Sequence, residues 1–331
     1  MTPMNIAGFG AYAPREQRPS EALDGVFGQP PGWTRSQFGI ASRGVAGPDE
    51  TTSMMGAEAA RRALDDAGWK AEDLDVIIGA CAVMEQPIPG TSILIQDALG
   101  LGKSGVWAFD VNQTCLSFVT ALDVAAMGFA TGRFRRALIV SSDIASAGLD
   151  WDNPPSAAIF GDGAAAVCIE AADDPGGPAL LARGFETYGE GKDLATLRSG
   201  GTHIRIDHGL EALTEGAKFH MDAFGIFKAA ARSLPRLIDR VLGEAGLTRE
   251  TVDLVVCHQA SAPGVEHVRR LMGGDPDRVI DIFATRGNQI AASLPTVLAE
   301  ARARGLIRPC GTVLLLGTAA GISAAAMVLR T

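Results

Sequence analysis

The chain predicts an α/β protein of stacked sheets and helices, on three observations. Two stretches repeat each other. Residues 59–126 contain AARRALDDAGWKAEDLDVIIGACA and then VWAFDVNQTCLSFVTALDVAA, and residues 235–301 contain PRLIDRVLGEAGLTRETVDLVVCHQA and then RVIDIFATRGNQIAASLPTVLAEA. In both, an apolar run opened by an aspartate (Asp75, Asp253) alternates with helix-period segments, as expected of buried strands covered by helices. Asn112-Gln113 recurs as Asn288-Gln289, and the copies lie about 177 residues apart. That spacing is far too long for a solenoid repeat, so the unit is a duplicated half-domain.

The elements follow in order. MNIAGFGAYAP reads as a short strand ending in a Gly/Pro turn. Over 54–67, Met54, Ala57, Ala60 and Leu64 fall at helical spacing, and Gly68 stops the helix. Asp75 to Cys81 is a strand buried on both faces, 84–91 (MEQPIPGT) a Pro-rich loop, 92–98 a short helix and 105–111 a strand. A helix at 116–131, a strand at 137–142, a turn at Gly161-Asp162-Gly163 and a strand at 164–170 complete the first copy. Residues 171–215, rich in Gly, Asp and Thr, read as irregular. A helix at 221–245 opens the second copy. The most apolar stretch, TVLLLGTAAGISAAAMVL at 312–329, is broken by Gly317 and Gly321, which suits a buried strand–turn–strand better than a membrane helix. The expected division is an N-terminal half at 1–171, a connecting segment at 172–215 and a C-terminal half at 216–331.

Composition narrows the function. The 331 residues carry a net charge of −9, which argues against broad nucleic-acid binding. The five cysteines (Cys81, Cys115, Cys168, Cys257, Cys310) form no CxxC and no ligand-spaced cluster. Neither a metal site nor a disulfide framework is expected, and a reducing, cytoplasmic compartment fits. The opening MTPMNIAGFGAYAP lacks the basic and long apolar regions of a signal peptide. GFGAYA lacks the GxGxxG spacing of a dinucleotide site, and no other cofactor is expected.

Three residues stand out as chemistry. Cys115 lies where the strand GVWAFDV passes through NQT into a helix, and a thiol there meets the positive end of the helix dipole and free amides, which favours thiolate and can hold an oxyanion. His258 ends the run LVVC, at the carboxyl edge of a strand where α/β sites gather. Asn288 occupies the turn of the second copy that matches that of Cys115. On its own it would read as a turn residue or a helix cap. Cys81, Cys168, Cys257 and Cys310 read as structural, His203, His208, His220 and His267 as exposed or structural, and Asp162 as a turn former.

With these residues in place, essentially the whole chain resembles the ketosynthase III-type condensing enzymes of the thiolase superfamily. The resemblance rests on GFGAYAP, on Trp33 with Gly39-Ile40 and Arg43, on FDVNQTCLSF, on FGDGAAA at 160–166, on HQA at 258–260 and on GNQIAAS at 287–293. It implies a five-layer α-β-α-β-α fold made from two halves, and a homodimer. It implies that Cys115 carries an acyl group as a thioester while His258 and Asn288 hydrogen-bond the enolate formed by decarboxylation of a second thioester, usually malonyl on an acyl carrier protein. It assigns Trp33 to coenzyme A, Ile88 to the partner's acyl pocket, and Thr318 and Ala320 to the C-terminal oxyanion turn. Lys228, Arg269 and Arg270 match positions near the tunnel mouth, where an acidic carrier would dock.

The chain also departs from the family pattern. Arginine positions that clamp the nucleotide read Gln37, Pro154 and Pro263, the turn usually FGGG-like reads Thr318-Ala-Ala-Gly321, and Ile88 replaces a frequent Phe. These departures imply a specialised lipid or polyketide-type pathway rather than an acetyl-CoA starter role. Transfer of the acyl group to an alcohol or amine, and a non-catalytic partner subunit of another ketosynthase, are the alternatives. A papain-like protease shares the Cys, His, Asn order but lacks its signature at Cys115 and has no reason to be duplicated.

Overall fold

The fold is organised by one nine-stranded sheet that is really two matching sheets joined edge to edge. The computed structural model describes residues 1–174 and 176–331. In the first half the strands are β1 (Thr2–Tyr12), β2 (Val76–Gly79), β3 (Trp107–Asp110), β4 (Arg136–Asp143) and β5 (Gly163–Ala171). In the second they are β6 (Ala179–Thr187), β7 (Leu254–Cys257), β8 (Thr312–Ala319) and β9 (Ser323–Arg330). The order is β7-β8-β9-β6-β1-β5-β4-β2-β3.

Read outward from the β1–β6 junction, the halves follow the same plan. β2 pairs in parallel with β4, and β7 with β8. β4–β5 and β5–β1 are antiparallel, as are β8–β9 and β9–β6. The second-copy counterpart of β3 is reduced to one parallel bridge between Val255 and Val279. The halves meet where Thr2 and Pro3 pair with Leu180 and Ala179.

Strand β6 corrects the expectation that 171–215 is irregular. ALLARGFET carries Arg183 and Gly184 in its middle, which weakens any strand pattern, and its pairing with β9 supplies the structure instead. Gly184 is there for packing: a Cβ at that position would lie 2.7 Å from Val241 Cγ2.

Helices fill the layers. They are α1 (Thr52–Ala67), α2 (Thr91–Ala98), α3 (Ser117–Ala130), α4 (Ala223–Glu244), α5 (Ala262–Leu271) and α6 (Ser293–Ala303). Thr51 caps α1 by accepting from Met54 N–H, and Gly68 ends it in the left-handed region at φ 66. The period of two in each strand sorts its side chains between layers. Ile77, Leu138 and Ala166 join Met55, Ala59 and Ala63 of α1 on one outer face. Val255, Leu314 and Val328 join Leu237, Ile238 and Val241 of α4 on the other. Val76, Ile78, Val256 and Leu315 point inward onto Phe118, Leu122, Leu294 and Val297 of α3 and α6. Helix, sheet, helix pair, sheet, helix is the five-layer α-β-α-β-α arrangement that the resemblance implied. Among the described residues no helix is long and apolar enough to cross a membrane.

The glycines of GFGAYA serve this layering rather than a cofactor. A Cβ on Gly10 would lie 2.1 Å from the Ala59 carbonyl oxygen, and one on Gly8 2.2 Å from that of Ala63. Both obstacles are helix backbone, which has no rotamer to change. Gly10→Ala is therefore expected to lower stability by about 2–3 kcal/mol, the scale of an overpacked core. Urea denaturation checks this, and an unchanged midpoint would contradict the close approach of β1 and α1.

Candidate active site

The two copies build the same turn and use it differently. Beyond β3 the chain passes through Asn112 and Gln113 to Thr114 at φ 48, and in the second copy Ile290 sits at φ 51. Left-handed backbone is unfavourable for a β-branched residue, so the turn must be held from outside. It is held alike in both copies. Asn112 Oδ1 accepts from Thr114 N–H and Asn288 Oδ1 from Ile290 N–H, each at 2.9 Å. Asn112 Nδ2 donates to the Ala82 carbonyl at 3.2 Å and Asn288 Nδ2 to that of Ala260 at 3.4 Å. By this register Cys115 stands where the second copy has Ala291, and His258 stands where the first has Ala80.

Cys115 lies two residues before α3, half-buried, with its sulfur facing the dry middle layer. Burial pushes the thiol up to about 12, the charge of Asp143 adds to the rise, and the amides of Cys115 and Ala320 only partly offset it. This corrects the expected thiolate. Desolvation outweighs the helix start, and the resting group is a thiol. Ala320, the weaker of these two amide influences, lies on the turn between β8 and β9. Thr318 is half-buried nearby.

His258 follows β7 and is buried, with its N–H bonded to the Leu316 carbonyl at 2.8 Å. Burial alone pulls its imidazole down to about 4, so it is neutral at pH 7, and Nδ1 has no protein partner. Gly317 separates His258 from the cysteine segment. A Cβ there would lie 3.0 Å from Leu116 Cδ2 and 3.1 Å from His258 Cβ. Asn288 is buried, and its backbone bridges to the first half: its N–H donates to Ile159 and its carbonyl accepts from Gly161.

The remaining residues singled out from the sequence lie off these turns. Trp33 starts the helix Trp33–Phe38, with its ring edge-on to Phe27 at 6.2 Å and to Phe38 at 5.4 Å. Ile88 is 86% exposed, together with Met84, Ile93 and Trp107. Arg269 and Arg270 both pair with Glu266, and Arg269 also with Asp281, so much of their charge is neutralised locally. Lys228 instead lines a cavity of about 610 Å³ with Arg232, Arg236 and Ile322.

Sequence reasoning missed Arg232 and Arg236, although their spacing from Lys228 (i+4, i+8) was a readable signal. It also missed Asp143, an aspartate at the end of an otherwise apolar strand, and it took Asp162 for a turn former. Asp162 is buried and accepts from Ala46 N–H, Ser146 N–H and Ser146 Oγ. Phe27 carried no signal.

A duplicated five-layer α/β scaffold, with a thiol before a helix of one half and an imidazole and an amide on turns of the other, is the architecture of the thiolase-type condensing acyltransferases. The family model described as 3-oxoacyl-[acyl-carrier-protein (ACP)] synthase III matches residues 109–189, and its C-terminal counterpart matches 242–331. The beta-ketoacyl-[acyl-carrier-protein] synthase III of Oleidesulfovibrio alaskensis is 33% identical over 327 residues, covering 98% of each chain. That of Rhodobacter capsulatus is 32% identical over 328 residues, again covering 98% of each. Among solved structures, the 3-oxoacyl-[acyl-carrier-protein] synthase III of Aquifex aeolicus superposes with a TM-score of 0.88 at 28% identity, covering 99% of this chain and 100% of the other. The priming beta-ketosynthase of the R1128 polyketide pathway does so with 0.88 at 27%, covering 99% and 96%. The chain belongs to the 3-oxoacyl-[acyl-carrier-protein] synthase III family, and with it to the condensing acyltransferases.

Gly317 yields a prediction. Gly317→Ala inserts a methyl between the Cys115–Leu116 segment and His258, and small misplacements of reacting groups cost up to about 10²-fold in rate. Turnover is expected to fall at least about tenfold while the thermal midpoint moves by only a few degrees. Retention of full activity would place the imidazole elsewhere.

Proposed function

We propose that the protein forms a carbon–carbon bond by decarboxylative condensation through an acyl-Cys115 intermediate. The observation that carries this reading is that Gly317 has His258 on one side and the Cys115–Leu116 segment on the other, with Asn288 on the turn that matches that of Cys115. The thiol gives its proton to His258 as the sulfur attacks an acyl thioester. The carbon–sulfur bond of the donor breaks, and the departing thiolate takes the proton. The Ala320 N–H stabilises the oxyanion of that step. A malonyl-type thioester then loses CO₂, and the electron pair of the broken bond becomes an enolate whose oxygen is held by His258 and Asn288. The enolate carbon attacks the acyl carbonyl, the new carbon–carbon bond forms, and Cys115 leaves as thiolate and is reprotonated.

The departures point to a specialised lipid or polyketide-type pathway and to a carrier protein as source of at least one substrate. Phe27 lies between Trp33 and Trp151, 6.2 Å from one ring and 6.3 Å from the other, so the chain itself fills the space beside Trp33. Gln37, Pro154 and Pro263 offer no guanidinium for phosphate. The cavity beside Ile322 presents Lys228 and Arg232 without an ion pair among the described residues, a surface for an acidic carrier. Edge strand β3 and the exposed Met84, Ile88, Ile93 and Trp107 suit a homodimer in which Ile88 enters the neighbour's acyl tunnel. Residues 1–171 form the nucleophile half, and the half that carries the histidine and asparagine begins within 172–215, at β6. Five free cysteines suit a reducing cytoplasm.

Incubation with a competent acyl thioester should add one acyl mass to each chain by intact mass spectrometry, and none to Cys115→Ala. Asn288→Ala should still acylate but condense about 10²-fold more slowly, the effect of one lost oxyanion donor. Acylation of Cys115→Ala, or equal loss of both half-reactions in Asn288→Ala, would refute these roles. Because His258 titrates near 4, acylation should show no midpoint near 6.5 and should decline only as the imidazole protonates below about pH 5.

The carrier reading has its own test. The same acyl group should load Cys115 faster from carrier protein than from coenzyme A, and added salt should slow only the carrier reaction. Arg232→Glu should slow carrier loading and leave coenzyme A loading unchanged. Faster, salt-insensitive loading from coenzyme A would reverse the assignment.

A further inference from the structure

Asp143 is the last residue of β4 and is fully buried. Its Oδ1 accepts from Ala82 N–H at 2.8 Å and Val83 N–H at 2.7 Å, on the loop that leads to Ile88. Its Oδ2 accepts from Ala291 N–H at 3.0 Å and Ala292 N–H at 3.2 Å, directly after the turn that carries Asn288. One carboxylate thus ties together two segments 208 residues apart, counted from Val83 to Ala291. No cation hydrogen-bonds or pairs with it among the described residues.

The duplication explains the arrangement. β4 and β8 are equivalent eight-residue strands, so Asp143 answers to Ala319. Ala291 and Ala292 answer to Cys115 and Leu116. In the half with the thiol, Ala319 has no side-chain group to offer the helix start. In the other half the helix-start amides are already occupied, by a carboxylate from across the seam.

We infer that Asp143 is a positioning residue for condensation, its carboxylate fixing the Asn288 turn and the 82–83 loop relative to Cys115. The inference rests on the condensing reaction proposed above. Burial raises Asp143 to about 7, against the pull of the four amides. The titratable groups that feel its charge are the thiols of Cys81, on the loop after β2, and Cys115, before α3. Asp110 and Glu85, the other acidic groups of this region, act on Cys81. Ionised, Asp143 has acceptor sites for all four N–H groups. Protonated, one oxygen becomes a donor facing donors, and the hold weakens. The hold is therefore present above about pH 7 and is lost as pH falls through that value.

The test separates the half-reactions, with octanoyl carrier protein as acyl donor and malonyl carrier protein as extender. Asp143→Asn keeps the shape but turns an amide NH₂ toward amide donors. It should acylate within about threefold of wild type and condense at least about 30-fold more slowly. In wild type the ratio of condensation to acylation should fall at least about threefold from pH 8 to pH 6, a window in which His258 stays neutral. In the variant the ratio should be flat. A parallel loss of both half-reactions in the variant would reveal a merely structural carboxylate and overturn the inference. So would a wild-type ratio that does not change between pH 6 and 8, and this second measurement decides if the variant fails to fold. A wild type that acylates with the octanoyl group but forms no product overturns the condensing reading itself, and this inference with it.

Discussion

Desolvation of the layer between the two sheets is the constraint on which the rest of the molecule depends. α3 and α6 lie there, walled by apolar side chains from both sheets. Each functional group is built at its edge, and burial is the first cause of each perturbation: Cys115 is pushed up to about 12, Asp143 up to about 7 and His258 down to about 4. All three shifts favour the neutral form. Cys115 and His258 therefore start uncharged, and such a site relies on fixed backbone amides to receive charge when it appears. The four amides around Asp143 do the reverse, opposing the burial of a carboxylate that they already hold.

Duplication supplies the geometry cheaply. The Asn-Gln turn, with its left-handed third residue and two asparagine hydrogen bonds, is needed once for each half and is specified in both by the same few residues. What distinguishes the halves is three substitutions within a common register. Cys115 takes the place that Ala291 has in the other copy, His258 that of Ala80, and Asp143 that of Ala319. In each pair the partner is alanine, so the two sets of polar groups do not compete for one volume, and a single mixed site forms at the seam.

The sequence made most of this legible where local pattern and tertiary role agree. VIIG and LVVC are buried on both faces and read as such. Helix α3, which belongs to the central layer, differed by one residue at each end from its expected span. Cys115, His258 and Asn288 were visible because each sits at the tip of a strongly patterned element. Strand β6 was not, because Gly184 and Arg183 are there for the helix that packs on them and the strand character comes from β9. The thiolate expected of Cys115 failed for a similar reason. A helix start is readable from sequence, whereas the dryness around it is a property of two sheets meeting.

The charged surface shows the same limit. Arg269-Arg270 attracts attention as a pair of adjacent cations, yet Glu266 lies three and four residues earlier on the same helix and engages both. Lys228, Arg232 and Arg236 look unremarkable when scattered over two turns of helix, but the 3.6-residue period gathers them on one face. Arg236 is engaged by Glu186 and Tyr188, while among the described residues the other two have no ion-pair or hydrogen-bond partner. Their side of α4 borders Ile322, on the same turn as Ala320. The helical period, and not adjacency in the chain, therefore decides which cations share a surface, and a carboxylate on the same face decides which of them are compensated.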